Sequence, residues 1–275
     1  MTRRLNFWLV SVLLIVGIPY YWHLVDPGLG PGAVDPAARP VTITQLRTLA
    51  AALPGPRPAQ LRVETVGMDM VSANMLMAGA GLRSLPTVMR AYELIVPGAA
   101  PILIDAGTSA RSAREGGVDI YDPNTQARIA QVRTVAAHIV LLADEPAHNG
   151  GLEAGNMRAP RELPPASSDA PWPLAPGVVI IPATGMGPDV NMVYVQFAGG
   201  REMLFSGDVA KIFGNWAELR LPARLGMRGR STAYRRANLA WLKTIAALHR
   251  AAPNMAIVAG HDPAPTAFSA GRFSH

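Results

Sequence analysis

Residues 5–25 form an uncharged, strongly apolar stretch that constrains the architecture more than any other part of the chain. At about 1.5 Å per helical residue it would reach about 31 Å, close to the thickness of a bilayer's hydrocarbon core. Arg3 and Arg4 precede it, and Tyr20, Tyr21 and Trp22 follow at its far end, where aromatic rings prefer the membrane interface. The positive-inside rule therefore predicts a single-pass protein of the inner (cytoplasmic) membrane, with lipid as a partner and the body on the periplasmic side.

A cleaved signal peptide is the alternative to this anchor. A signal peptide has a shorter apolar core, which is followed by a small-x-small cleavage site. In this chain the apolar stretch is followed by the bulky residues Tyr-Tyr-Trp-His. We therefore interpret residues 1–25 as an uncleaved transmembrane anchor. Residues 26–40 are rich in proline and glycine and are interpreted as a linker, which leaves residues 41–275 as the folded domain.

Composition excludes several classes of protein. Hydrophobic residues make up 49% of the chain and charged residues 16%, which is incompatible with general disorder. The chain has no cysteine, so disulfides, thiolate metal ligands and a cysteine nucleophile are excluded. The net charge of +6 comes mainly from scattered arginines, and the one arginine cluster, residues 220–236, has few aromatics beside it. We expect no nucleic-acid binding.

Strand and helix patterns alternate through the domain. Apolar runs predict strands at 60–66, 89–96, 100–107, 138–144, 177–183, 192–197, 202–208 and 255–260. Helical spacing and capping residues predict helices at 41–53, 124–135 and 232–251. This order favours a mixed α/β sandwich of two sheets with outer helices.

Four ionisable residues stand where predicted strands end: Asp105, His148, Asp208 and His261. Loops at strand ends carry the chemistry in many scaffolds, and two histidines with an aspartate can bind a metal and leave one position open. Such residues also serve as helix caps and turn formers, so spacing alone leaves both interpretations open.

Five segments, in this order, resemble motifs of the metallo-β-lactamase superfamily. They are ILIDAG (102–107), LLADEPAHNGGL (141–152), PATGMGPDVNMVYV (182–195), LFSGDV (204–209) and VAGHD (258–262). The resemblance covers most of residues 60–265 and is greatest to membrane-anchored bacterial members. It implies a four-layer αββα sandwich with the site at one edge of its two sheets and Asp105 as a structural residue near that site.

The sequence departs from the family pattern at several ligand positions. Ala143 and Glu145 stand where two histidines bind the family's first metal, and Met186 replaces another histidine. Ala147 replaces the aspartate that helps to bind the second metal. His148, Asp208 and His261 are retained. The resemblance thus implies at most one metal ion.

Two hypotheses follow for function. In the first, His148, Asp208 and His261 hold one divalent ion, with zinc as the expected metal and Glu145 or Asp144 as a candidate fourth ligand. The protein is then a metal-dependent hydrolase of an ester, lactone, amide or phosphate with an unidentified small-molecule substrate. In the second, the site is a relic without metal, and the chain is an inactive pseudoenzyme that acts as a binding or scaffold protein at the membrane.

Overall fold

The computed structural model of the chain describes residues 2–30, 32, 34–150, 152, 170–187 and 190–273. Ten strands in the described part form two five-stranded sheets. The first sheet has the order β4-β1-β2-β3-β5 and the second β10-β9-β8-β7-β6. The strands are β1 (Gln60–Ser72), β2 (Ser84–Ile95), β3 (Ile102–Ile104), β4 (Ile120–Tyr121), β5 (His138–Val140), β6 (Trp172–Ala175), β7 (Val178–Pro182), β8 (Asn191–Gln196), β9 (Glu202–Gly207) and β10 (Ala256–Ala259).

A long N-terminal helix precedes the domain, and six helices flank its sheets in the described residues. They are α1 (Arg3–Val25), α2 (Ile43–Ala50), α3 (Ala73–Leu76), α4 (Ala110–Glu115), α5 (Pro123–Val135), α6 (Phe213–Ala217) and α7 (Thr232–Ala251). Side-chain oxygens of Thr42 and Ser231 accept hydrogen bonds from backbone amides at the starts of α2 and α7. These N-caps explain why α7 begins at the predicted residue and why α2 begins at Ile43, two residues inside the predicted helix 41–53.

Three hydrophobic clusters hold four layers together. Between the sheets, Tyr92 and Leu94 of the first pack with Val193 and Phe205 of the second. On the outer face of the second sheet, α2 and α7 bury residues such as Trp241. The outer face of the first sheet is covered in the same way by α5 through Ile129 and Val132. The predicted αββα sandwich is confirmed.

Strand pairing brings the ends of four strands to one edge of the sandwich. In the first sheet β3 runs parallel to β5, with Ile104 opposite Val140. In the second sheet β10 runs parallel to β9, with Ala259 opposite Gly207. Parallel neighbours finish at the same edge of their sheet, and the contact between His148, after β5, and Asp208, after β9, shows that the two edges adjoin.

Several predicted boundaries were wrong. The predicted strand 138–144 stops at Val140, because the Leu142 amide donates to the Asp105 carboxylate and the Leu142 carbonyl accepts from Asn191. The predicted strand 60–66 continues to Ser72 past Gly67, where the β1–β2 register shifts. β4, β6 and the short helices α3, α4 and α6 had not been predicted at all.

The predicted linker runs along the body in its described part. The Lys243 ammonium lies 2.5 Å from a carboxylate oxygen of Asp35. The Arg39 amide donates to the Thr244 hydroxyl at 2.7 Å. Both partners belong to α7, so residues 35–39 are attached to that helix by polar contacts.

Candidate metal centre

The described structure brings His148, Asp208 and His261 together, as the sequence predicted. Their candidate ligand atoms lie within 4.8 Å of one another. Asp208 directly follows β9, His261 comes two residues after β10, and His148 stands on the loop after β5. His148 is 2% exposed and Asp208 8%, so this site is built inside the edge of the sandwich and not on its surface.

Asp105 fixes the position of His148. Its backbone has a φ of +61°, which an aspartate tolerates better than most residues. One carboxylate oxygen accepts from the Leu142 amide at 2.8 Å, and the other accepts from His148 Nδ1 at 2.8 Å. The carboxylate can only accept here, so Nδ1 carries a proton, and the orientation of the ring directs Nε2 of His148 at Asp208.

The loop that carries His148 is held against the end of β3. The Ala106 amide donates to the His148 carbonyl at 2.7 Å, and the Gly150 amide donates to the Gly107 carbonyl at 2.7 Å. Gly150 has a φ of +61°, and a Cβ there would lie 2.2 Å from the Ala106 carbonyl oxygen. Only glycine fits this approach without a shift of the loop.

His261 is oriented by a backbone group. Its Nδ1 lies 3.0 Å from the Val88 carbonyl oxygen, which can only accept, so Nδ1 carries the proton. Its Nε2 then points to Asp208 Oδ1 at 3.0 Å. His148 Nε2 approaches the same oxygen at 3.3 Å, and the two imidazole rings are 5.1 Å apart.

This donor set requires a cation or an extra proton at its centre. Two neutral imidazoles with protonated Nδ1 atoms would present two lone pairs to one carboxylate oxygen. The Nε2 atoms of His148 and His261 lie 3.3 and 3.0 Å from Asp208 Oδ1, and all three candidate ligand atoms lie within 4.8 Å of one another. Two imidazoles and a carboxylate are a donor set that suits a divalent ion such as zinc, so the residues fit one such ion.

Protonation supplies the charge when no ion is bound. Burial opposes the charged form of His148, but the Asp105 and Asp208 carboxylates outweigh it and raise the pKa of His148 to about 10. Burial likewise opposes ionisation of Asp208, yet Lys211 and the two histidines hold its pKa well below the usual range. A metal ion would therefore displace a proton from His148.

Lys211 occupies the other side of the Asp208 carboxylate. Its ammonium lies 3.4 Å from Asp208 Oδ2, while both histidines face Oδ1. The Asp208 charge raises the pKa of Lys211, which keeps the ammonium protonated. A fixed cation thus neutralises the carboxylate oxygen that does not face the histidines.

The substituted positions offer no second set of ligands in the described structure. Ala143 is buried and lacks a donor atom, and Ala147 likewise contributes only a methyl group. Met186 is buried in the core beneath α7, where its sulfur lies 3.5 Å from the Asn238 side-chain nitrogen. The loss of the family's first metal site stays a prediction from the sequence.

The two candidate fourth ligands lie outside the His148–Asp208–His261 group. Glu145 pairs with Arg230 at 2.5 Å, and both side chains are substantially exposed. Asp144 is exposed and accepts a long hydrogen bond from the Asn149 side chain at 3.4 Å. Neither carboxylate belongs to the group of candidate ligands in the described residues.

A cleft of about 190 Å³ reaches Asp208 from the side of Lys211. We call it the Asp208 cleft. Its lining includes Glu145, Asp208, Lys211, Met227, Arg228 and Arg230. Lys211 and the two arginines had not been predicted as site residues. One signal was available, because Lys211 is one of two lysines in the chain and follows Asp208 by three residues.

Part of the motif segments lies outside the described residues. Gly151 of the segment 141–152 and Pro188 and Asp189 of the segment 182–195 belong to that part of the chain.

Comparison with solved structures identifies the fold. The chain is similar to a quorum-quenching N-acyl homoserine lactone lactonase, with 14% identity, a TM-score of 0.60, and coverage of 75% of this chain and 93% of that one. It is also similar to a probable metal-dependent hydrolase from Staphylococcus aureus, with 11% identity, a TM-score of 0.52, and coverage of 75% and 91%. AidC, a dizinc quorum-quenching lactonase, has 12% identity, a TM-score of 0.50, and coverage of 77% and 92%.

An αββα sandwich with two histidines and an aspartate at one sheet edge is therefore the class of structure that this chain adopts. It has the metallo-β-lactamase fold, as the sequence motifs implied. No protein-family model matches the sequence, and no curated protein matches it.

Proposed function

We propose that the chain is a membrane-anchored hydrolase that uses one divalent metal ion held by His148, Asp208 and His261. Zinc is the metal that we propose. The convergence of two Nε2 atoms, both with protonated Nδ1 atoms, on one buried carboxylate oxygen carries this proposal. The bonds in question are those of an ester, lactone, amide or phosphate. An ion bound here would act as a Lewis acid and lower the pKa of a water molecule.

The chain's own residues supply the remaining functions. Asp105 and the Val88 carbonyl keep the two imidazoles in the tautomer that a metal requires. Lys211 stands beside Asp208 at the cleft, where its ammonium can stabilise negative charge that develops on a reacting carbonyl or phosphoryl oxygen. This cation offers part of the positive charge that a second metal ion would otherwise provide.

The similar structures favour hydrolysis over the pseudoenzyme alternative. Those compared are lactonases and a probable metal-dependent hydrolase, and none is described as a scaffold. A relic site would also have no need for the buried Asp105–His148 contact or for the orientation of His261. Lactones are accordingly the first substrates to test.

We further propose that α1 crosses the inner membrane and leaves the domain on the periplasmic side. The helix Arg3–Val25 is apolar enough to span a bilayer, and the window that meets this criterion is not buried. Its end is fastened to the body, because the Leu225 amide donates to the His23 carbonyl at 3.0 Å, a contact that cleavage after the helix would remove. This attachment supports an uncleaved anchor over a removed signal peptide.

Activity with and without metal tests the hydrolase proposal. The full chain is stripped with a chelator, reloaded with zinc and assayed on a γ-lactone, p-nitrophenyl acetate and bis-p-nitrophenyl phosphate. We expect zinc-dependent hydrolysis of at least one compound and a loss of about 100-fold or more in His148→Ala and His261→Ala, since even an outer-shell change costs about 10- to 100-fold.

The control is His138→Ala, which removes a half-buried histidine at the start of β5 and should leave turnover unchanged. Equal activity of the stripped and reloaded proteins on all three compounds would overturn the proposal. So would equal losses in the three histidine variants.

A further inference from the structure

The Asp208 cleft is built from the same loop that receives the end of the anchor helix. Residues 218–231 connect α6 to α7, and we call them the arginine loop because they carry Arg220, Arg224, Arg228 and Arg230. In the sequence, these arginines indicate only a source of positive charge. The placement of the arginine loop gives it a more specific role.

The end of α1 is docked on the body through several contacts. The Leu225 amide of the arginine loop donates to the His23 carbonyl at 3.0 Å, and the Gly79 amide donates to the Leu24 carbonyl at 3.0 Å. The Arg224 guanidinium lies 3.8 Å from the centre of the Trp22 ring and also pairs with Asp26. These contacts fix how the body sits relative to the helix end.

The wall of the cleft begins one residue after this docking point. Leu225 contacts α1, and Gly226, Met227, Arg228 and Arg230 line the Asp208 cleft. Consecutive Cα atoms are about 3.8 Å apart, so these lining residues lie within about 20 Å of the helix end. If α1 spans the bilayer, its aromatic end lies at the interface, and the cleft opens close to the lipid headgroups.

Exposed apolar and cationic side chains surround the helix end. Leu225 is 41% exposed, and Leu82, three residues after Gly79, is 63% exposed. Arg220 donates to the Ala78 carbonyl at 2.6 Å, so it lies on the same face, and it also pairs with Glu218 at 3.2 Å. Leucines that insert and arginines that meet phosphates are the combination expected on a surface that rests on an anionic membrane.

One cationic side chain of the cleft has no carboxylate partner among the described residues and is available to a ligand. Lys211 pairs with Asp208, and Arg230 pairs with Glu145. Arg228 is exposed at the cleft, and within the described part of the chain it has no carboxylate partner at ion-pair distance. A guanidinium in this position suits a carboxylate or phosphate group.

We propose that the Asp208 cleft binds the anionic head of an amphiphile resident in the membrane, with Arg228 on the anionic group and the apolar chain still in the bilayer. This names a substrate class for the same site and rests on the proposed hydrolase function for the reaction that follows binding. The bond to be cleaved lies in or next to the head of the amphiphile.

Binding without turnover tests this substrate class. The full chain in a neutral maltoside detergent is titrated with dodecyl phosphate, and with inorganic phosphate as the soluble source of the same anion, by native mass spectrometry. We expect one dodecyl phosphate per chain, much weaker binding of inorganic phosphate, and a loss of about tenfold or more in Arg228→Gln, the usual scale for a charged hydrogen bond.

The matched control is Arg250→Gln, an exposed arginine on α7 about 24 Å along the helix from the cleft residue Tyr234. It should bind like the unmodified chain. Equal affinity for the two phosphates, or an Arg228→Gln chain that binds as well as the control, would overturn the proposal.

The placement of the cleft has its own test. Because the chain has no cysteine, Leu225→Cys and Arg250→Cys can each carry one fluorophore in vesicles that contain headgroup-nitroxide lipid. We expect strong quenching at residue 225 and little at residue 250, and equal quenching would contradict the orientation. Neither readout needs catalysis, so a failure here is distinct from absent zinc-dependent hydrolysis.

Discussion

Replacing Asp105 with asparagine tests how the site is pre-organised. The two carboxylate oxygens of this 2% exposed residue accept from the Leu142 amide and from His148 Nδ1. Asparagine keeps the shape and tolerates the φ of +61°, but it has one acceptor oxygen for two donors. If that oxygen stays on Leu142, the amide NH₂ faces Nδ1 and drives the His148 proton to Nε2, the atom needed for metal.

We therefore expect zinc affinity to fall by about 10- to 100-fold, or about 1.4–2.7 kcal/mol. The assay is competition for zinc against a chromophoric chelator at fixed pH. Asp144→Asn is the matched control, since it removes one negative charge from the exposed loop that carries His148. Equal losses in the two variants would show a general charge effect, and an Asp105→Asn chain with unchanged affinity would refute the positioning role.

Three further outcomes follow from the structure. The pKa of His148 is raised to about 10 from 6.5. Its contribution to the stability of the metal-free chain is therefore complete below about pH 6.5 and is lost as the pH rises through about 10. Thermal unfolding measured from pH 6 to 10.5 should show this loss of stability, and a melting temperature that does not change with pH contradicts it. Gly150→Ala should destabilise the chain by about 1–3 kcal/mol and weaken zinc binding, whereas Gly117→Ala, with a similar φ of +68° and open space, should leave zinc binding intact. Alkaline phosphatase fused after His275 should be active outside the cytoplasm, and a mature chain that begins near Asp26 or Val34 would indicate a signal peptide.

The sandwich was predictable because its signals are local and repeated. Apolar runs such as 177–183 and 192–197 are long enough to mark buried strands, and caps such as Thr42 mark helix starts. β6 was missed because Pro173 interrupts a short edge segment, and β4 is only two residues long. The extension of β1 was missed because a glycine such as Gly67 is typical of the end of a strand. The sheet accommodates this glycine with a register shift.

The candidate site was predictable to the level of which residues meet. Strand ends and motif order predicted that Asp105, His148, Asp208 and His261 share one edge of the sheets. The partners that decide their chemistry were not predictable from spacing. The Val88 carbonyl is a backbone group without a sequence signal, and Arg230 acquires a role only when folding brings it to the cleft. The spacing of Lys211 from Asp208 was visible in the sequence, but it did not show that the ammonium would pair with the carboxylate.

The number of metal ions per chain decides whether His148, Asp208 and His261 form a metal site. Purified full-length protein and its His148→Ala and His261→Ala variants are loaded with zinc, freed of excess zinc and analysed by elemental mass spectrometry. We expect about one ion per chain and a loss of that ion in both variants, because a single catalytic zinc uses three protein ligands and one open position. Two ions per chain, or one ion that both substitutions leave in place, would contradict this expectation.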